Sequence, residues 1–88
     1  MKMETNEVIK YPLSTEKSIR LMESENKLIF VVDRKAKKPE IKKAVESMFK
    51  AKVDKVNTYI DHNGEKRVYV KFNKSTPAID VATQLGML

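Results

Sequence analysis

A chain of 88 residues has room for one small domain with a thin core, and the absence of cysteine excludes a disulfide framework or a thiolate metal site. Eighteen Lys and Arg against twelve Asp and Glu give a net charge of +6, which favours a polyanionic partner, nucleic acid before membrane surface. No apolar run approaches the ~20 residues of a membrane span, and the start, MKMETNEVIKYP, has no apolar signal core, so a cytoplasmic protein without membrane insertion is expected.

Met1 to Glu7 reads as a loose tail. Val8 to Tyr11 reads as a short strand stopped by Pro12. Ser14 is placed to cap a helix from Thr15 to about Glu23, with Glu16 favourably set against the helix dipole and Ile19 and Met22 turned inward. Asn26 ends that region. Lys27 to Asp33, KLIFVVD, is continuously apolar rather than alternating, which predicts a central strand covered on both faces. Arg34 to Lys38, RKAKK, is a basic connection. Pro39 suits a first helical position, and Ile41, Ala44, Val45, Met48 and Phe49 recur at i, i+3, i+4, i+7 and i+8, an amphipathic helix. Lys42, Lys43, Ser47 and Lys50 fall outside that stripe.

Val53 to Phe72, VDKVNTYIDHNGEKRVYVKF, holds two β-prone runs around Asp-His-Asn-Gly, a hairpin signal. A two-residue Asn63-Gly64 loop would mix apolar and charged residues on both faces. A type I turn begun by Asp61, with Gly64 in the left-handed bulge position, sorts them. Asp61 then faces Glu65, Thr58 faces Val68, Val56 faces Val70 and Asp54 faces Phe72, with Ile60 on the same apolar face. The other face carries Lys55 opposite Lys71, Asn57 opposite Tyr69, and Tyr59 opposite Arg67. A one-residue slip would reverse the faces, so the apolar set fixes the register.

Thr76 then caps and Pro77 opens a last helix, with Ala78, Val81, Ala82 and Leu85 on one face and Gly86 as its stop. Met87 and Leu88 are placed to pack back on the core. The order β-α-β-α-β-β-α predicts an α+β fold of split β-α-β type over the single domain 1–88. In it the middle helix makes a right-handed crossover and the last strand inserts beside the central one.

The polar hairpin face is the candidate site. Lysines directly opposite one another repel, so Lys55 facing Lys71 suggests an anionic partner. Tyr59, Tyr69 and Arg67 offer stacking planes and Asn57 a two-way amide, which suits single-stranded or irregular RNA. Lys35, Lys37, Lys38, Lys42 and Lys43 add cations around the second helix. An enzyme reading finds no support. His62, the sole histidine, falls at a turn tip, and no nucleophile set, metal cluster or glycine-rich phosphate loop is present. A small acyl-phosphate hydrolase would need an arginine after the first strand, where this chain has Pro12-Leu13-Ser14-Thr15. No cofactor and no small-molecule substrate is expected. A free-standing RNA-binding module and a protein-docking adaptor stay open on these residues alone.

Several segments together resemble one family. YPLSTEKS, KPEIKKAVESMF, the hairpin VDKVNTYIDHNGEKRVYVKF and the tail AIDVATQLGML are similar to ribosomal protein L-twenty-three of the large subunit. The closest pieces are Thr15-Glu16-Lys17, Val56-Asn57-Thr58 and Lys66-Arg67-Val68-Tyr69-Val70. The tight hairpin turn resembles the archaeal type, as does the lack of the basic N-terminal extension of the eukaryotic one. The resemblance implies a four-stranded, mainly antiparallel sheet of order 1-2-4-3 with three helices. It implies binding to 23S rRNA beside the polypeptide exit tunnel and ribosomal protein L-twenty-nine as a neighbour. It also implies docking of nascent-chain factors such as the signal recognition particle. In bacterial members the acidic residue of the Ser/Thr-Glu-Lys motif serves chaperone docking, and Glu16 occupies that position.

Overall fold

The computed structural model describes residues 8–86; the expected tail 1–7 and the packing of Met87 and Leu88 lie outside them. The elements are β1 (Ile9–Pro12), α1 (Glu16–Glu25), β2 (Lys27–Val32), α2 (Lys38–Phe49), β3 (Val53–Ile60), β4 (Lys66–Phe72) and α3 (Ala78–Gln84). The four strands form one sheet in the order β1-β2-β4-β3, and each neighbouring pair is antiparallel. β2 and β3 therefore run parallel with β4 between them, which is the split β-α-β arrangement expected from the order of elements.

One face of this sheet carries the core. Leu28, Phe30 and Val32 from β2, Val68, Val70 and Phe72 from β4, and Val53 from β3 are buried there. Ile41, Ala44, Val45 and Phe49 of α2, Met22 of α1 and Ala78, Val81 and Ala82 of α3 pack against them. The Phe30 and Phe49 rings stack with centroids 5.9 Å apart. All three helices thus contribute to one face, and the last helix leaves the tyrosine face of the hairpin free.

β2 is buried on both faces, as its unbroken apolar run predicts. Ile29 and Val31 point away from the helices. Their neighbours in register are Tyr69, and Tyr11 with Arg67. Long amphipathic side chains of this kind cover apolar surface while keeping their polar tips wet. A register shift at Lys10 makes Tyr11 one of them, because it lets Ile9 enter the core and Tyr11 emerge on the opposite face.

Several local expectations change. The cap of α1 is Thr15, not Ser14. Ser18 N–H donates to Thr15 Oγ1 at 3.2 Å and Thr15 N–H donates to Ser18 Oγ at 2.8 Å, a reciprocal box that Ser14 cannot form with its own third neighbour, Lys17. α2 starts at Lys38, so Pro39 is its second residue; the Lys37 N–H is taken by Glu40 Oε1 at 3.1 Å. Met48 is 43% exposed, because it sits in the last turn, where the neighbouring Phe49 takes the contact with Phe30. Phe72 faces Val53 rather than Asp54. A bulge there buries the valine and leaves the Asp54 carboxylate to accept from Asn73 Nδ2 at 2.9 Å, which avoids desolvating a charge. Ile60 pairs with Lys66 as expected, yet is 55% exposed, since the helices do not reach the turn end of the hairpin.

Thr76 does not cap α3. Its hydroxyl accepts from Lys52 N–H, and the first amide of the helix, Ala78 N–H, donates instead to Asn26 Oδ1 at 2.6 Å. Asn26 holds a left-handed backbone (φ 56°) at the end of α1, a conformation that asparagine tolerates better than most residues. Its Nδ2 lies within 3.1 to 3.3 Å of the carbonyls of Phe72, Asn73 and Thr76. One side chain thus joins α1, the end of β4 and the start of α3.

Candidate nucleic-acid interface

The hairpin register matches the expected one over its functional stretch. Lys55 faces Lys71, Asn57 faces Tyr69, Tyr59 faces Arg67, Val56 faces Val70 and Thr58 faces Val68. Asp61 N–H donates to Glu65 O and Gly64 N–H to Asp61 O, and Gly64 has φ +83°, the left-handed position the turn demands. Asp61 Oδ1 also accepts from the N–H groups of Asn63 and Glu65, both at 2.9 Å. His62 is an exposed turn residue.

The open face reads as three rungs across the strands. The rung nearest the turn is Tyr11, Val31, Arg67 and Tyr59; the middle one is Ile29, Tyr69 and Asn57; the far one is Lys27, Lys71 and Lys55. Charge is graded along them. In the first rung Arg67 Nη2 lies 3.1 Å from Asp61 Oδ2 and 3.8 Å from Glu65 Oε1, and Tyr11 donates its hydroxyl to Glu65 Oε2 at 2.8 Å. Burial works to raise the Asp61 carboxyl. The two backbone N–H bonds and the Arg67 guanidinium together outweigh that and hold its pKa below the ordinary carboxylate value. Arg67 is therefore a partner of its own hairpin's carboxylates as well as facing Tyr59 across the strands.

Diagonally between the first rung and the middle one, the Tyr59 and Tyr69 rings are tilted by 43° with centroids 5.2 Å apart, and their hydroxyls lie 3.4 Å from one another. The ammonium of Lys17, from the first turn of α1, stands 5.7 Å from the centre of the Tyr69 ring, within cation–π range. The Tyr59 hydroxyl and then the Lys17 ammonium hold Tyr69 below the usual phenol value, while burial first and Tyr69 second raise Tyr59. In the far rung Lys27 has Glu25 at 3.2 Å, and no carboxylate of the described residues lies within ion-pair distance of Lys71 or Lys55.

The remaining cations divide. Lys38 and Lys42 of α2 line a shallow groove with Pro39, Asp54, Lys55 and Val56, so they meet the sheet face at its β3 edge. Lys35, Lys37 and Lys43 are exposed but are not brought to that groove. Lys66 donates to Ala36 O at 2.6 Å, tying the basic connection to the hairpin. Glu16 lies in the exposed first turn of α1 and pairs with Arg20 at 2.8 Å.

The sequence reading did not single out Lys17, Lys27, Asp61 or Glu65 for this face. Lys27 was reachable once β2 was set beside β4, since antiparallel alternation then aligns it with Lys71. Lys17 depends on how α1 crosses the end of the sheet, for which no local pattern exists.

A family model described as Ribosomal protein L23 matches residues 7–82. The protein named Large ribosomal subunit protein uL23 from Methanococcus vannielii is 44% identical over 85 residues, an alignment that covers 97% of this chain and 99% of that protein. The family match takes in all four strands of the 1-2-4-3 sheet and its first two helices, and the chain belongs to the ribosomal protein L23 family.

Proposed function

We propose that this chain is a non-enzymatic structural constituent of the large ribosomal subunit in the cytoplasm, binding 23S rRNA beside the polypeptide exit tunnel through the open face of its sheet. The observation that carries this reading is that the helices all pack on one face, leaving Lys55, Lys71, Asn57, Tyr59 and Tyr69 together on the other. Free cations beside tilted aromatic rings and an amide suit an irregular RNA surface, where phosphates and unstacked bases are both within reach. Lys38 and Lys42 extend the cationic surface around the β3 edge, and Lys35, Lys37 and Lys43 contribute to the same polyanion contact at longer range. We infer ribosomal protein L-twenty-nine as a neighbour and the signal recognition particle as a docking factor from the resemblance to this family.

Affinity for a 23S rRNA fragment is expected to fall steeply with salt, because each phosphate neutralised by Lys or Arg releases condensed counterions, a slope of about 0.7 to 0.9 per contact in log K against log salt. Binding isotherms between low and physiological salt measure this. A flat dependence would remove the RNA reading, and a protein that does not sediment with large subunits would remove the ribosomal one.

Factor docking is tested separately at Glu16. Its pair with Arg20 is exposed and worth roughly 0.3 to 0.5 kcal/mol. Glu16→Ala should therefore leave stability and subunit assembly unchanged, while weakening factor binding to the assembled subunit by roughly 1 kcal/mol or less. Loss of assembly in this variant would place Glu16 on the RNA side instead.

A further inference from the structure

The three rungs of the open face are chemically unlike one another, and that difference sets an orientation for the RNA. In the far rung Lys27, Lys71 and Lys55 stand side by side on three adjacent strands. Neighbouring strands are about 4.8 Å apart, so three ammonium groups share a span of roughly 10 Å. Two of the three have no carboxylate within ion-pair distance among the described residues. The free sheet gains nothing from such a row, because like charges directly opposite repel. The rung nearest the turn is the reverse case: Arg67 has two carboxylates, one of which also accepts from Tyr11. That rung is neutralised before any ligand arrives, and Asp61 and Glu65 there would repel phosphate. Between them lie Tyr69 and Asn57, two residues along each strand from Lys71 and Lys55, a distance of about 7 Å. Lys17 overhangs Tyr69 from α1 and adds a cation to the same rung.

We propose that the RNA crosses the sheet at right angles to the strands, its sugar–phosphate backbone along Lys27, Lys71 and Lys55 and its bases directed toward Tyr69, Asn57 and Tyr59. Lys17 is a further phosphate ligand, and Arg67 is a strut that shapes the platform and touches no phosphate. This rests on the RNA-binding reading above and makes it specific. Phosphates lie on the row where two of three lysines have no ion-pair partner among the described residues, and bases lie toward the π-faces and the amide. The reverse placement would put phosphates against Asp61 and Glu65. Glu25 competes with RNA for Lys27, so it restrains binding from inside the protein.

The probe is a 23S rRNA fragment that the unaltered protein binds, with log K measured against log salt for single variants whose thermal unfolding is checked in parallel. Lys27→Gln, Lys71→Gln and Lys17→Gln should each flatten the slope by about 0.7 to 0.9, one phosphate contact apiece. Arg67→Gln should leave the slope unchanged. Glu25→Gln should tighten binding severalfold, a gain that a merely structural role for Lys27 does not produce. If Arg67→Gln does not fold, the double variant Lys27→Gln/Lys71→Gln decides, with an expected flattening of about 1.5. A steep slope in the unaltered protein that none of Lys27→Gln, Lys17→Gln or Glu25→Gln moves would overturn this orientation while leaving RNA binding intact. A flat slope in the unaltered protein would instead remove the RNA reading itself.

Discussion

Asn26→Ala is expected to cost about 3 kcal/mol of stability. Three contributions combine. The Ala78 N–H at the start of α3 loses its acceptor, the equivalent of removing a helix cap, worth about 0.5 to 2 kcal/mol. The carbonyls of Phe72, Asn73 and Thr76 lose the shared Nδ2 donor, and each part-buried group left without a partner costs on the order of 1 kcal/mol. Alanine must also hold φ 56°, a left-handed backbone that costs an ordinary L-residue about 1 to 2 kcal/mol. Some of this is recovered by water, since the site is only part-buried. Asn26→Gly should lose less, because glycine adopts that backbone freely while giving up the same hydrogen bonds. Urea unfolding of the three proteins separates the terms: equal midpoints for Gly and Ala would show that backbone conformation plays no part. For a domain of this size the loss should lower Tm by roughly 15 °C.

Lys71→Glu should move two measurements in opposite directions. Lys71 lies between Lys27 and Lys55 in the far rung, so a glutamate there replaces two repulsions with two attractions. Cross-strand charge pairs are worth about 0.2 to 1 kcal/mol each, so free-protein stability should hold or rise by up to about 1 kcal/mol. Affinity for the rRNA fragment should fall on the order of tenfold or more at moderate salt, because a phosphate ligand is lost and an anion is set among the remaining ones. Unfolding and binding measured on the same preparation give both numbers. A destabilised protein with unaltered affinity would show that this row neither repels itself nor meets RNA.

The register behind that prediction was legible because the hairpin carries its own phase. Val56, Val68, Val70 and Phe72 must share a face, and Gly64 at the turn admits the one-residue shift that achieves it. The two departures inside the strands have a common cause. Asp54 and Ile60 were assigned by alternation alone, and alternation does not see a bulge or where the helical cover ends. Arg67 illustrates a second limit. Its cross-strand partner Tyr59 follows from register, but its ion pair with Asp61 depends on how the turn folds back over the strand. Asn26 illustrates a third: it looked like a helix end and nothing more, since its partners lie 46 to 52 residues away. Side chains that join distant segments leave no periodic trace.

The bulge at Asp54 has a bearing on the protein before it reaches its partner. β3 is an edge strand of eight residues, and its outer side offers unpaired backbone groups to any passing chain. Long regular edges of this kind recruit second copies and seed aggregation. Here the bulge breaks the regular spacing of those groups at one end, and Lys55 follows at once with an unpaired charge. A second β3 laid alongside would meet a kinked backbone and bring a like charge into contact. The same irregularity that lets Val53 into the core therefore works against pairing of this edge with a second strand.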